Sequence, residues 1–412
     1  MLAAGLQFAA QPARSRHLCC ACALALLAAT PAQAYVCDEH VEVYGYTQLW
    51  ATIWEQMEDA KGLFQQPSGD EAADAVSGFR LAKARLGIRL AHPAWNLSLH
   101  AQARLDHDFA LLDADVAFTP ARWFSLHVGQ FKVPGTYEAL LDDRRLDFIL
   151  RADITTALAD FALARSQHPS SLLYGTVSNL RDLGIAAKGE VGGRRLAGRY
   201  FLMVSNGLGA NTFFGGTTSK EYFITNRAQY FYGGRLELAA ASAVTLGAFG
   251  SYNRHDNIVF NSGRAVYDVN RRMVGGDLQI AVPGTGLRLG ALGGGGRIHD
   301  DFNGDGRTDL RYSGWAVSAA WDVGPALRLA SGMALPEGHA LELAARFERL
   351  DQEVDESGLR VRRERKTLGV NYLASTFVKL QLEYILRRSD DPAAVAPNLA
   401  NDAFLASLQA AF

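Results

Sequence analysis

Apolar and polar residues alternate along most of the chain, and this period of two predicts β-strands. In the last segment, the even positions from Phe404 to Phe412 are all apolar and form one face. In segment 376–388, Leu380 and Leu382 alternate with Lys379, Gln381 and Glu383. Each of these strands therefore has one apolar face and one that is polar or mixed.

The same pattern predicts sixteen strands in all. They lie near 41–54, 78–91, 95–106, 111–119, 123–133, 182–191, 195–205, 229–239, 243–254, 272–282, 285–297, 311–322, 339–350, 361–373, 376–388 and 401–412.

Two features of these strands favour a transmembrane barrel over a soluble β-sandwich. Most strands have the length of a tilted membrane crossing, about 9–11 residues. Their connections alternate between short turns and long loops, as in outer-membrane barrels with short periplasmic turns. We therefore predict an all-β fold, a 16-stranded antiparallel transmembrane β-barrel, in which residues 134–181 form the third and longest outer loop.

The N-terminal segment resembles a secretory signal peptide. Arg14 and Arg16 precede an apolar run from Leu18 to Ala29, and Ala32-Gln33-Ala34 is a typical cleavage site. We expect residues 1–34 to be removed and residues 35–412 to form the barrel. After residue 34 no uncharged apolar run reaches the 18 residues that a transmembrane helix needs.

Composition limits the partners and the metal chemistry. The chain has 41 Lys and Arg against 43 Asp and Glu, and two of the basic residues lie in the expected signal peptide. A slightly acidic mature protein excludes nucleic acid as a partner in bulk. Of the four Cys residues only Cys37 lies after residue 34, which excludes an internal disulfide and a cysteine metal cluster.

Five segments together resemble the phosphate-selective porin O and P family. They are FRLAKARLGIRL (79–90), LDADVA (112–117), LHVGQFKVPGTYE (126–138), RDLGIAA (181–187) and YFLMVSNGLG (200–209). The resemblance is densest from 79 to 209 and weak afterwards. The family usually has Phe after the proline of VGQFKVP, where this chain has Gly135.

This resemblance implies a homotrimer of 16-stranded barrels in the outer-membrane lipid of a bacterium. It also implies that the third outer loop folds into the lumen as a constriction. The implied function is passive diffusion of small hydrophilic solutes, with a preference for anions such as phosphate.

Basic residues on the predicted inward faces and in the third loop are the candidate pore lining. Rings of Arg or Lys select anions, and the planar guanidinium group of Arg donates paired hydrogen bonds to phosphate. Nearby Asp residues could instead pair with these cations and pin the loop to the wall. The candidates are Lys83, Arg85, Arg89, Arg104, Lys132, Arg144, Arg145, Arg151 and Arg165.

Segment 301–309 is a candidate calcium loop. Asp301, Asn303 and Asp305 place oxygen ligands at alternate positions, and Asp309 could close the site. The glutamate that ends an EF-hand loop is missing, and the same residues are also strong turn formers. Calcium would stiffen an outer loop, so no cofactor is required for function.

Three other functions remain open alongside an anion-preferring porin. They are a non-selective porin, a barrel that holds a partner protein in its lumen, and a soluble calcium-binding β-protein. An enzyme is not expected, because no G-x-S-x-G nucleophile motif occurs.

Overall fold

The computed structural model describes most of the chain after residue 34. The described residues are 35–38, 40–54, 78–106, 109–159, 180–207, 209, 212–213, 216–217, 222–224, 230–241, 243–260, 266–300, 309–331, 335–354, 359–390 and 402–412. The expected signal peptide, residues 1–34, lies outside them.

Sixteen long strands form one sheet. In chain order they are β1 (Val41–Trp54), β2 (Gly78–His92), β3 (Leu97–Arg104), β4 (Ala110–Ala121), β5 (Phe124–Lys132), β6 (Arg181–Gly192), β7 (Leu196–Ser205), β8 (Phe231–Ala240), β9 (Val244–Phe260), β10 (Val266–Val282), β11 (Leu287–Asp300), β12 (Asp309–Asp322), β13 (Ala340–Val354), β14 (Leu359–Leu373), β15 (Val378–Asp390) and β16 (Ala403–Ala411).

The sheet closes into a barrel. Each strand pairs with the next in antiparallel fashion, and β16 pairs with β1, where Tyr46 lies opposite Ala411. Closure gives each of the sixteen described long strands a partner on both sides, as a lipid environment requires. The predicted all-β fold with sixteen antiparallel strands is confirmed.

Side chains alternate between the two faces of the wall. On β16, Phe404 and Leu408 are each 38% exposed, whereas Leu405 and Ser407 are buried. On β15, Leu380 and Leu382 point outward, whereas Lys379, Gln381 and Glu383 are buried inside the barrel. The apolar faces therefore surround the barrel, and the polar faces line its interior.

The remaining elements are short. Helix α1 is Tyr137–Leu140, α2 is Asp153–Ala159 and α3 is Gly324–Ser331, and 3-10 turns cover Pro93–Trp95 and Asp143–Arg145. Strand Tyr35–Asp38 pairs with β1, Tyr222–Ile224 pairs with β9, and Thr212–Phe213 pairs with Gly216–Thr217. None of the described helices is long and apolar enough to cross a membrane.

Candidate functional site

The third outer loop folds into the barrel. It leaves β5 at Lys132 and returns at β6, and its described part is residues 133–159 and 180. The Tyr137 backbone N–H donates to Asp277 on β10 (3.0 Å), and the Ile149 N–H donates to Glu383 on β15 (2.6 Å). Because β10 and β15 are far from β5 around the wall, the loop crosses the lumen, as the family resemblance implied.

Helix α2 is fixed by an apolar seat on the wall of β9–β14. Ile154 and Leu158 lie one helical turn apart and are 0% and 2% exposed, packed against inward side chains such as Leu292. Glycines in the wall allow the helix to approach closely. A Cβ atom at Gly314 would lie only 3.2 Å from the Ile154 Cβ, which is closer than an ordinary van der Waals contact.

Ion pairs and hydrogen bonds fix the rest of the loop to the same wall. Arg346 pairs with Glu138 (3.2 Å), and Arg365 pairs with Asp153 (3.0 Å). The Lys379 ammonium donates to the Leu146 carbonyl oxygen (2.5 Å). Many inward charges on β10–β15 therefore hold the loop and do not face open lumen.

Two loop carboxylates, Asp143 and Asp153, are ionised at neutral pH. Burial alone would raise the pKa of Asp143, but Arg151, Lys83 and Lys132 outweigh it and hold that pKa well below its usual range. Asp153 is also buried, and Arg365 lowers its pKa in the same way. Asp143 and Asp153 therefore bind their basic partners as charged carboxylates.

The other half of the lumen stays open. A cavity of about 490 Å³ lies between the loop and the wall of β1–β6. Its polar and charged lining is Tyr44, Tyr46, Lys83, Arg85, Arg89, Ser98, His100, Gln102, Arg104, Asp113, Asp115, His127, Lys132, Asp142, Asp143, Arg151, Thr156, Arg181 and Lys188.

Cations outnumber anions around this cavity. Its lining holds eight Lys and Arg side chains against four Asp side chains. A low-dielectric wall focuses the field of such charges into the space they enclose. The cavity is therefore electropositive even where individual cations are paired.

The strongest concentration of charge lies at the base of the loop. Lys83 and Arg151 both contact Asp143, at 3.0 Å and 2.6 Å. Beside them, Arg181 binds Asp113 through two hydrogen bonds of 2.9 Å. Two carboxylates thus face at least three cations, and the paired hydrogen bonds fix the Arg181 guanidinium plane.

Lys132 adds a fourth basic side chain to this cluster. Its Nζ donates to the carbonyl oxygens of Leu140 and Leu141, at 3.2 Å and 2.6 Å. It lies opposite Arg181 in the β5–β6 register. Lys132 therefore ties the start of the loop to the wall beside the cavity.

Two histidines share one carboxylate farther along the same wall. His127 Nδ1 lies 3.0 Å from Asp115, and His100 Nδ1 lies 3.5 Å from it. The Tyr44 hydroxyl lies 2.6 Å from His100 Nε2. This network fixes both imidazole rings on the face of the cavity.

Six of the nine predicted basic site residues line the cavity. On β2, Arg85 pairs with Asp106, and Arg89 pairs with Glu42 (3.1 Å). Arg104 lines the cavity from the neighbouring strand β3. The other cavity residues from the predicted set are Lys83, Lys132 and Arg151.

The remaining predicted cations are placed differently. Arg144 pairs with Asp142 (2.9 Å) and lies over the rings of Tyr44 and Tyr46. Neither Arg144 nor Arg145 is among the described residues that line the cavity. Arg165 lies outside the described residues, and its role stays a prediction.

The calcium loop is outside the part of the chain that the structure describes. Asp301, Asn303 and Asp305 are not described, nor is the side chain of Asp309. Among the residues that are described, no group of three or more His, Cys, Asp or Glu side chains could hold a metal ion. Calcium binding at 301–309 stays a prediction.

Sequence reasoning missed Arg181 as a member of the cluster. It is the first residue of β6 and of the segment RDLGIAA, at the point where the third loop returns to the wall. Its position opposite Lys132 follows from pairing the strands on either side of the loop. That pairing was the signal that could have identified it.

Comparison with known proteins supports the family indicated by the motifs. Residues 277–412 match the model of the family described as phosphate-selective porin O and P. This match confirms the predicted family. It covers β11 to β16 and most of the segment where the motif resemblance is weak. No curated protein sequence is significantly similar to the chain.

Solved porins share the fold. An anion-selective porin from Comamonas acidovorans has 11% identity and a TM-score of 0.56, covering 90% of this chain and 99% of that one. Outer-membrane expressed OmpT of Vibrio cholerae has 11% identity and a TM-score of 0.54, covering 92% and 100%. The outer membrane channel DcaP of Acinetobacter baumannii has 11% identity and a TM-score of 0.52, covering 90% and 97%.

The comparisons also bear on the cellular location of the protein. The porin family match and the closed sixteen-stranded barrel confirm the predicted location in the bacterial outer membrane.

Proposed function

We propose that the protein is a passive outer-membrane channel that prefers small anions such as phosphate. The observation that carries this proposal is the cavity beside the third loop, where eight cationic side chains face four carboxylates. The loop covers the other half of the lumen, so solutes pass along the cationic wall. The proposal is supported by the fold shared with an anion-selective porin.

Selectivity would follow from the net charge of the wall. The salt bridges at Asp113 and Asp143 fix the positions of Arg181, Lys83 and Arg151. Fixed guanidinium groups replace part of the hydration shell of a phosphate, because their paired donors fit two of its oxygens. Pairing with a carboxylate weakens the electric field of each cation. The excess of cations over carboxylates sets the sign of the net potential in the cavity.

The channel performs no chemical conversion in this proposal. The porin family and the barrel fold favour a channel over an enzyme. A loop that crosses the lumen also argues against a conduit for a partner protein, because it occupies the space such a partner would need. Passive diffusion needs only a shaped and charged path.

We also propose a homotrimer in the outer-membrane lipid, secreted with residues 1–34 as a cleaved signal peptide. One of the structures that share the fold is a trimer form of OmpT. Cross-linking of the purified protein, followed by mass spectrometry of its N-terminus, tests both statements.

Reversal potential in a planar bilayer under a salt gradient tests the selectivity directly. The unmodified protein should prefer anions, and phosphate should reduce the chloride current. Arg104→Gln combined with Lys188→Gln should lower the anion-to-cation permeability ratio severalfold, because both residues line the cavity.

Arg360→Gln is the matched control. Arg360 is 76% exposed and points away from the lumen, so the reversal potential should not change. Equal permeability to anions and cations in the unmodified protein would leave a non-selective porin. Cation preference would overturn the proposed function.

A further inference from the structure

Within the described strands, arginines point outward on one side of the barrel only. Six consecutive strands, β10 to β15, each place an arginine on this face. We call these six residues the arginine belt: Arg272, Arg297, Arg311, Arg349, Arg362 and Arg388.

Strand alternation shows that the belt points outward. Arg272, Arg311 and Arg362 have the same parity as Val274, Val317 and Leu368, which are 68%, 45% and 59% exposed. The pairings from β10 to β15 contain no register shift. Five of the six arginines are exposed, and Arg349 is half-buried.

The belt lies at one level of the membrane. Each arginine is about 9–11 positions from the inner end of its strand, which is the length of a barrel strand that crosses the bilayer. The outward positions below it include Val274, two residues from Arg272, and Trp315, four residues from Arg311. The belt therefore lies at the outer boundary of the apolar band.

Three members of the belt lie side by side. Arg272 is opposite Arg297, and Arg297 is opposite Arg311. Like charges at directly opposed positions repel one another. Arg297 and Arg311 also make contacts within the protein.

The described outward acidic residues at this level are Asp351, Glu353 and Glu364. Asp351 pairs with both Arg349 (2.7 Å) and Arg362 (2.9 Å), and Glu353 lies opposite Arg311. The six arginines of the belt thus face three carboxylates.

The opposite side of the barrel lacks such a belt. On β1 to β8, the outward positions inside the described strands carry no Lys, Arg, Asp or Glu. Lys132 and Arg181 end their strands and line the cavity. Outward arginines at the outer boundary are therefore not a general feature of the strands of this barrel.

We propose that the arginine belt binds the phosphate groups of a phosphorylated glycolipid in the outer leaflet. Arg binds phosphate through paired, charge-assisted hydrogen bonds. Cationic side chains at a bilayer surface attract anionic lipid headgroups. The apolar side chains below the belt fit the acyl chains, so the surface matches an amphiphile with a phosphorylated head.

Titration with defined lipids tests this proposal without any substitution. Purified protein in detergent is titrated with lipid A carrying two phosphates and with its fully dephosphorylated form, and bound lipid is counted by native mass spectrometry. The phosphorylated form should bind at least about tenfold more tightly. Equal affinity for the two lipids would overturn the proposal.

Substitutions then locate the binding surface. Arg272→Gln, Arg297→Gln and Arg311→Gln together should remove most of the preference for phosphorylated lipid A and leave the reversal potential unchanged. The matched control removes three lumen arginines, Arg85, Arg89 and Arg104, in the same way. It should change the reversal potential and leave lipid binding intact. Equal loss of lipid binding in both variants would contradict the belt as the site.

Discussion

The wall of β9–β15 and the wall of β1–β6 differ in what their inward side chains meet. On the first, Gly294, Gly314 and Ala316 form a shallow seat, and Arg346 and Arg365 bind the carboxylates of the third loop. On the second, longer side chains face an open cavity. Inward charges therefore serve as anchors on one side and as pore lining on the other.

This difference shows that counting inward charges around the whole barrel does not indicate selectivity. Inward Glu342, Glu348 and Glu383 are buried near the loop, whereas the carboxylates beside the cavity are all Asp residues. Only the charges that remain beside the open path act on a passing ion. The position of the loop decides which charges those are.

The largest effect is expected from releasing α2 from its seat. Ile154→Asp combined with Leu158→Asp places two charges in an apolar cluster, which costs at least several kcal/mol and favours a detached loop. Single-channel conductance should rise severalfold, since the covered half of the lumen becomes accessible.

Thr156→Asp is the control for that variant. Thr156 lies on the same helix but lines the cavity. The loop should stay seated, and the added negative charge should lower both conductance and anion preference. A rise in conductance in this control would show that helix charge alone, without release from the seat, accounts for the larger effect.

A smaller effect is expected at the buried pair of Glu138 and Arg346. Glu138 also accepts a hydrogen bond from the Ala152 N–H (3.0 Å). Glu138→Gln leaves Arg346 without one of its two carboxylate contacts and should weaken loop attachment by up to about 3–5 kcal/mol. Bilayer recordings should show frequent transitions between conductance levels, and steady recordings would exclude the pair as an anchor.

Opposite shifts in selectivity are expected at the pair of Asp113 and Arg181. Asp113→Asn removes an anion from the cavity and should raise the anion-to-cation permeability ratio. Arg181→Gln removes a cation and should lower it. Each change should be about twofold to threefold, because neighbouring charges remain. Shifts of the same sign would indicate a structural effect of breaking the pair.

The smallest effect is expected at Arg288, which belongs to the anchoring wall. It pairs with Asp147 and Glu342, at 2.7 Å and 3.0 Å, and is 42% exposed. Arg288→Gln should cost at most about 1 kcal/mol of loop attachment, since exposed pairs contribute little. The reversal potential should stay within experimental error of the unmodified protein.

The strands could be predicted from sequence because every crossing of a membrane barrel alternates apolar side chains that face lipid with polar side chains that face the lumen. All sixteen predicted strands are present, and most of their ends lie within three residues of the predicted positions. Three ends lie farther away. Strand β9 continues to Phe260, beyond the predicted 254, and β10 begins at Val266, before the predicted 272. Strand β13 continues to Val354, beyond the predicted 350. Helix α3 lies between the predicted strands 311–322 and 339–350, where the alternating pattern predicts no helix.

The anchoring contacts could not be predicted, because they join residues far apart in sequence. Glu138 and Arg346 are separated by 208 positions, and no local pattern identifies that partner. Six of the nine candidate cations lie beside the cavity, and strand parity fixes the inward direction of the four that lie on β2 and β3. Arg144 was expected to line the pore, but it pairs with Asp142, two residues away.

Thiol accessibility tests the central claim that ions pass along the β1–β6 wall and that anions are preferred there. Ser98 lines the cavity, whereas Ser407 on β16 is 1% exposed beneath the loop. Ser98→Cys and Ser407→Cys, each made with Cys37→Ser, are exposed to anionic and cationic thiol reagents of equal size. The account predicts that Ser98→Cys reacts and loses conductance, faster with the anionic reagent, and that Ser407→Cys stays unmodified. Equal reaction at both positions, or faster reaction with the cationic reagent, would contradict it.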